Sequence, residues 1–265
     1  MPSAPAMIKM YNFPGCPFSE RVEILMALKG RAAQIDSIEI DLSQARPDWL
    51  LKKTRGSTAL PAMDTPAGTL KESMVILRYL EQAYPEVPVA SREPYRHAVE
   101  SLLALHDSGL SAAGYKMIKN RDPALVPELR AAVDQQFARI DAFLRDYSPD
   151  GTFLFEQFGW AETILTPVFK RMWFLEYYDD YAIPSPLTRV LAYRDACVAH
   201  PAAQKRRHDE IIKLYYDYSR GYASGSLPQG RSTASFTLSP SWADRPMPPR
   251  GKWGPAATDA ELGLV

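Results

Sequence analysis

The feature that most constrains this chain is a cysteine set between a strand and a helix, in Phe13-Pro14-Gly15-Cys16-Pro17-Phe18-Ser19-Glu20-Arg21. Residues 7–13 are rich in β-forming side chains and read as a strand. Pro17 suits the first position of a helix, Val22, Leu25 and Met26 then recur at helical spacing, and Gly30 marks the stop. Cys16 therefore falls at or beside a helix N-cap, among unpaired backbone N–H groups and at the positive end of the dipole. Both effects favour thiolate over thiol. Glu20 and Glu23 oppose them. An isolated cysteine is by default an inert buried thiol, but Pro14, Gly15 and Pro17 describe a tight, exposed turn, and Cys16 reads as reactive.

The signals that follow alternate. Ile38, Ile40 and Leu42 alternate with acidic residues as a second strand, and residues 47–53 have helical character. Residues 59–64 and 69–71 read as a hairpin joined by Thr65-Pro66-Ala67-Gly68, and residues 73–81 as a closing helix. The order β-α-β-α-β-β-α is enough for one compact domain over residues 1–84, with a proline-interrupted linker at 85–94. Residues 95–218 are helical in pattern. Leu129, Val133, Phe137, Ile140 and Leu144 form one apolar stripe, and Glu162, three residues after Gly159, is half of a capping box. Residues 219–265 are interrupted by prolines, yet Phe236, Trp242 and Trp253 are anchors that disordered tails lack. With a terminal capping box at Thr258 and Glu261, they predict an extended arm laid over the helices.

Composition narrows the function. The formal charge is zero, which points to neither nucleic acid nor an anionic membrane. Two cysteines, Cys16 and Cys197, provide no disulfide framework or cysteine-rich metal site, and His97, His106, His200 and His208 lack ligand spacing, so no metal is expected. Cys197 reads as a buried structural thiol. Residues 1–6 carry no basic segment or apolar run, and a lone reactive thiol suits a reducing compartment, so the expected location is the cytoplasm.

The Cys-Pro-Phe-Ser-Glu-Arg string at the first helix of a β-α-β-α-β-β-α domain, followed by helices, resembles the omega class of the cytosolic glutathione transferases. Leu60-Pro61 matches that family's pre-strand proline, which is cis there, and Lys71-Glu72-Ser73 its strand-to-helix glutathione clamp. The resemblance implies an α/β plus α architecture, a thioredoxin-like domain and then an all-helical one. It also implies glutathione as co-substrate, and a homodimer. A cis bond turns the Leu60 backbone outward to pair with the cysteinyl unit of glutathione like a short strand. Glu72 can take the γ-glutamyl ammonium, and Ser73, at a helix start, its carboxylate. Phe18 joins the same glutathione set. Arg46, with Lys53 as second choice, matches the cation for the glycine carboxylate; solvated surface charge is the plain alternative for both.

Serine at position 19 cannot act as a resolving thiol, which disfavours a protein-disulfide oxidoreductase and leaves a cycle in which external glutathione resolves a mixed disulfide. A cysteine at the catalytic place favours removing glutathione over adding it. Phe158-Gly159-Trp160-Ala161-Glu162, Leu214-Tyr215-Tyr216-Asp217-Tyr218 and the closing 247–254 string look like the omega-like glutathione lyases of bacterial lignin β-aryl-ether breakdown. These remove glutathione from α-glutathionyl aryl ketones. The resemblance implies attack by Cys16 on the thioether sulfur and departure of an enolate. An aromatic wall for the conjugate is expected from Tyr115, Met172, Trp173, Tyr177, Tyr215, Tyr216 and Tyr218, with Tyr216 or Tyr218 as donor to the enolate oxygen. Core packing is the plain reading for most of them. Arg206, Arg207 and His208 read as a solvated face. Two other readings stand beside the lyase: a general omega-type thiol transferase or dehydroascorbate reductase, and a non-catalytic ligand-binding module.

Overall fold

The computed structural model describes residues 7–222 and 226–265. Residues 1–6, on which the expectation about a leader rests, lie outside it. The N-terminal domain comprises β1 (Ile8–Asn12), α1 (Pro17–Leu28), β2 (Ile35–Glu39), α2 (Asp48–Lys53), β3 (Ala62–Thr65), β4 (Gly68–Lys71) and α3 (Ser73–Ala83). Its sheet has the order β2-β1-β3-β4, with β1 and β2 parallel and the other pairs antiparallel. This is the thioredoxin-like arrangement expected.

The second strand sits earlier than its apolar alternation suggested. Its register is set by β1, with Ile8 opposite Ile35 and Asn12 opposite Glu39, and β1 ends where the Cys16 turn begins. Ile40 and Leu42 therefore lie beyond the ladder, Ile40 keeping one hydrogen bond to the Asn12 carbonyl at 2.8 Å. The helix stop at Gly30 is as read. Gly30 has φ +67°, a value that costs other residues, and its N–H and that of Arg31 return to Ala27 and Met26.

Helices α4 (Pro94–Ala104), α5 (His106–Ile118), α6 (Val126–Tyr147), α7 (Trp160–Arg171), α8 (Trp173–Tyr178), α9 (Thr188–Ala199), α10 (His208–Leu214) and α11 (Tyr216–Ser219) follow. The α6 stripe is wholly buried in the larger core. Ile140→Val is expected to cost about 1 kcal/mol there, read as a shift in urea midpoint at unchanged slope. At the start of α7, Glu162 accepts from the Gly159 N–H at 2.9 Å and also from the Leu154 N–H and the Tyr193 hydroxyl. The domains meet along α1 and α7. Trp160 and Ile164 complete the core beneath the sheet with Met10, Val22 and Leu77.

Among the described residues the tail is an extended arm with a 3-10 turn at Trp242–Asp244. Buried arginines hold its carbonyls: Arg245 those of Ser235, Thr237 and Pro240, and Arg220 those of Gly251, Lys252 and Gly254. Asp217 takes the Ser235 N–H at 2.6 Å and faces Arg231. Phe236 and Trp242 are buried, but Trp253 is 48% exposed with Lys252 over its ring, so it is no anchor. The Thr258–Glu261 capping contacts are present around a single turn. Among the described residues no helix is long and apolar enough to cross a membrane, and no group of His, Cys, Asp or Glu could hold a metal.

Candidate active site

Cys16 is the N-cap of α1, half-buried, with Pro17 at the first helical position. Its sulfur donates to the Leu60 carbonyl at 3.6 Å, across the cis Leu60–Pro61 bond. The turn before it is held from the helical domain. Arg206 donates to the Pro14 carbonyl at 2.6 Å and Arg171 to the Gly15 carbonyl at 2.7 Å. Neither contact was legible in the sequence, and Arg206 is not the solvated charge expected. Gly15 is required here, since a Cβ would run into the Leu214 side chain at the end of α10.

The first-turn acids do not act as free charges. Glu20 is 1% exposed and lies between Lys170, at 2.5 Å, and Arg171. Burial pushes its carboxyl up, but Arg171 and Lys170 outweigh that and hold it below the usual glutamate range. Arg171 is itself fully buried. Burial opposes its charge, and Glu20 more than restores it. Glu23 is paired with Lys205 at 2.5 Å.

At the start of α3, Glu72 is exposed and has φ +67°, in the left-handed region that a non-glycine residue enters at a cost of about 1–3 kcal/mol. Ser73 is buried, and its hydroxyl accepts from Arg21 at 3.2 Å. Arg21 is 2% exposed, also bound to Asp107 and to the Ile164 carbonyl, and stacked on Phe18. It brings a buried cation to the Ser73 helix start, one that sequence reasoning missed because its partners lie on α3, α5 and α7. Arg46 precedes α2, half-buried, with long contacts to the Thr58 and Gln44 carbonyls and close enough to Tyr218 for its charge to be felt. Lys53 is engaged with Asp64 at 2.9 Å beside the Tyr11 ring.

The aromatic residues divide. Tyr115, Tyr215 and Tyr218 form one cluster with Phe174 and Phe236, and Phe236 in turn meets Phe13 of the Cys16 turn. Tyr216 departs from expectation. It is 1% exposed and its hydroxyl accepts from the Ala257 N–H at 2.7 Å, so it serves the tail. The break between α10 and α11 at Tyr215 turns these neighbours to different sides. Tyr177 donates to the Pro248 carbonyl, Met172 is fully buried against Gly114, and Trp173 lies against His208. Cys197 is buried, and burial pushes its thiol well up.

The family model for the glutathione S-transferase N-terminal domain matches residues 10–88, the segment carrying the Cys16 turn, Pro61 and Glu72-Ser73. Glutathione S-transferase omega-1 of Mus musculus is 25% identical over 230 residues, 85% of this chain and 90% of that one. Residues 10–88 thus resemble the N-terminal domain of glutathione S-transferases, and the chain as a whole is similar to omega-class members. Solved glutathione transferases share its fold. Rice GST1 in complex with glutathione superposes with a TM-score of 0.73 at 19% identity, over 83% of this chain and all (100%) of that one. Dehydroascorbate reductase of Chlamydomonas reinhardtii gives a TM-score of 0.62 at 22% identity, over 81% of this chain and 100% of that one.

Proposed function

We propose that this protein is an enzyme of the glutathione transferase type that removes glutathione from thioether conjugates of aryl ketones through a Cys16–glutathione mixed disulfide. The observation that carries the reading is the Cys16 sulfur beside the Leu60 carbonyl, the group suited to pair with the cysteinyl unit of glutathione. A glutathionyl sulfur held there meets a sulfur nucleophile, where a hydroxyl would merely donate a hydrogen bond. Attack on that sulfur expels whatever it carries, and only a carbanion stabilised by a neighbouring ketone is a fit leaving group for a thioether. The aromatic cluster beside the turn suits an aryl group. On this reading residues 1–84 bind glutathione through Phe18, Leu60, Pro61, Glu72 and Ser73, and residues 85–94 link the domains. Residues 95–218 supply the substrate side through Tyr115 and Tyr218, and the tail from 219 buttresses that wall.

Turnover of three substrates tests it: an α-glutathionyl aryl ketone, the corresponding thioether without the ketone, and a glutathione mixed disulfide. The expected result is ketone and oxidised glutathione in equal amounts from the first, and nothing from the second. Turnover of the mixed disulfide alone would replace the lyase reading with general thiol transfer, the activity class favoured by the likeness to omega-1 and dehydroascorbate reductase.

The two candidate cations are separable. Arg46→Ala is expected to raise KM for glutathione roughly tenfold, the loss of one charge-assisted hydrogen bond. Lys53→Ala should change it less than about twofold, since an exposed pair with Asp64 is its present partner. Initial rates against glutathione concentration decide.

A further inference from the structure

We propose that the hydroxyl pair Tyr115–Tyr215 is the oxyanion donor of this site, holding the ketone oxygen of the conjugate as it becomes an enolate. The inference rests on the thioether-cleavage reading and adds to it the group that makes the carbon leave. The two hydroxyls are 2.6 Å apart, one from α5 and one from the junction between α10 and α11. Two protons are present and one bond between them uses one. The other has no acceptor among the hydrogen bonds of the described residues.

Three features suit the pair to this task. Its rings are fixed before substrate arrives, Tyr115 against Phe174 and Tyr218, and Tyr215 against Phe174 and Phe236, so donation needs no reorganisation. Its placement follows from Gly15, which lets the end of α10 close on the Cys16 turn; both phenols feel the charge of the Cys16 sulfur. Its protons stay on. Burial pushes Tyr215 up to about 12 and Tyr115 well above its ordinary value. The buried Arg171 acts in the opposite sense on both and makes each a stronger donor than burial alone would leave it. Other tyrosines nearby are committed elsewhere: Tyr177 and Tyr178 donate to the Pro248 and Ile212 carbonyls, and Tyr216 serves the tail.

The Cys16 thiolate attacks the glutathionyl sulfur, an S–S bond forms, and the C–S bond breaks with its electron pair passing through the α-carbon to the ketone oxygen. The phenol pair donates to that oxygen. Protonation of the α-carbon then gives the ketone. A second glutathione thiolate attacks the mixed disulfide and releases oxidised glutathione and the Cys16 thiolate, its thiol proton balancing the one taken up by carbon. Carbon is reduced by two electrons, and the thioether sulfur and the incoming thiol sulfur are oxidised by one each.

The test compares wild type, Tyr115→Phe, Tyr215→Phe and the double variant on the aryl ketone conjugate and on a glutathione mixed disulfide, whose thiolate leaving group needs no such donor. Either hydroxyl alone retains a proton to donate, so the single variants should lose modestly. The double variant should lose about 10²-fold in kcat on the ketone. That loss should exceed its loss on the disulfide by at least tenfold, with KM for the conjugate little changed. Equal losses on both substrates would mean that the pair merely packs the wall and would overturn the proposal. So would a double variant as fast as wild type on the ketone. Wild-type enzyme inactive on the ketone would overturn the lyase reading itself, a distinct outcome visible before any variant is made.

Discussion

Glu20→Ala is expected to destabilise the protein by about 3–5 kcal/mol, because it strands two buried cations rather than deleting one surface charge. Lys170 and Arg171 are 1% and 0% exposed, and their carboxylate partner lies 150 and 151 residues away in sequence, on the helix that begins at Cys16. Removing the carboxylate leaves Lys170 with the Ala203 carbonyl and Arg171 with those of Gly15 and Pro167, dipoles where a full charge stood. At roughly 2–4 °C per kcal/mol for a large domain, the thermal midpoint should fall by about 10 °C. Lys170→Met added to Glu20→Ala should recover part of the loss, since one orphaned charge goes with it. The same pairing sets a pH dependence. The Glu20 carboxyl is held below its ordinary value when folded, so its contribution is complete above the usual glutamate range and is lost as pH falls through the folded value. The gap between wild type and Glu20→Ala should therefore narrow in acid, read from denaturant midpoints at about pH 7 and about pH 3.5.

Cys16→Ser is expected to take turnover of any glutathione conjugate down by on the order of 10⁴-fold or more, to background, as loss of a nucleophile does. A serine hydroxyl can occupy the N-cap and donate to the Leu60 carbonyl, so the thermal midpoint should stay within about 1 °C, a conservative swap at a half-buried position. The value of the variant is this separation: glutathione binding survives and chemistry does not. It should retain affinity for glutathione by calorimetry, because Glu72, Ser73 and the backbone of Leu60, the residues proposed to hold it, are untouched. A variant that still turned over mixed disulfides would place the chemistry on another residue.

Much of the site is written locally. The strand, proline, glycine, cysteine and proline around position 16 specify a turn whatever lies elsewhere. The helix start at Ser73 follows from a few residues, whereas the cis bond before Pro61 was expected only from the family resemblance. The stripe on α6 and the anchoring of the tail by Phe236 and Trp242 were legible because apolar bulk at a given period must be buried somewhere. What was hidden depends on partners far off in sequence. Nothing local marks Lys170 and Arg171 as the partners of Glu20, or Arg206 as the donor to the Pro14 carbonyl. The tyrosine string at 215–218 shows the other limit. Its density pointed to an aromatic wall, but α10 ends within it, so helical phase could not say that Tyr215 faces Tyr115 while Tyr216 faces the tail. Trp253 failed for a related reason: a large apolar ring can also stay half exposed beside a buried lysine.

The central claim is that Cys16 takes glutathione directly from a thioether. Its most direct test is the intact mass of wild-type protein and Cys16→Ser after mixing with an α-glutathionyl aryl ketone and no free glutathione. The expected result is one glutathione adduct on wild type alone, with one equivalent of ketone released and full reversal by a thiol. Ketone released without an adduct, or an adduct on both proteins, would contradict the account.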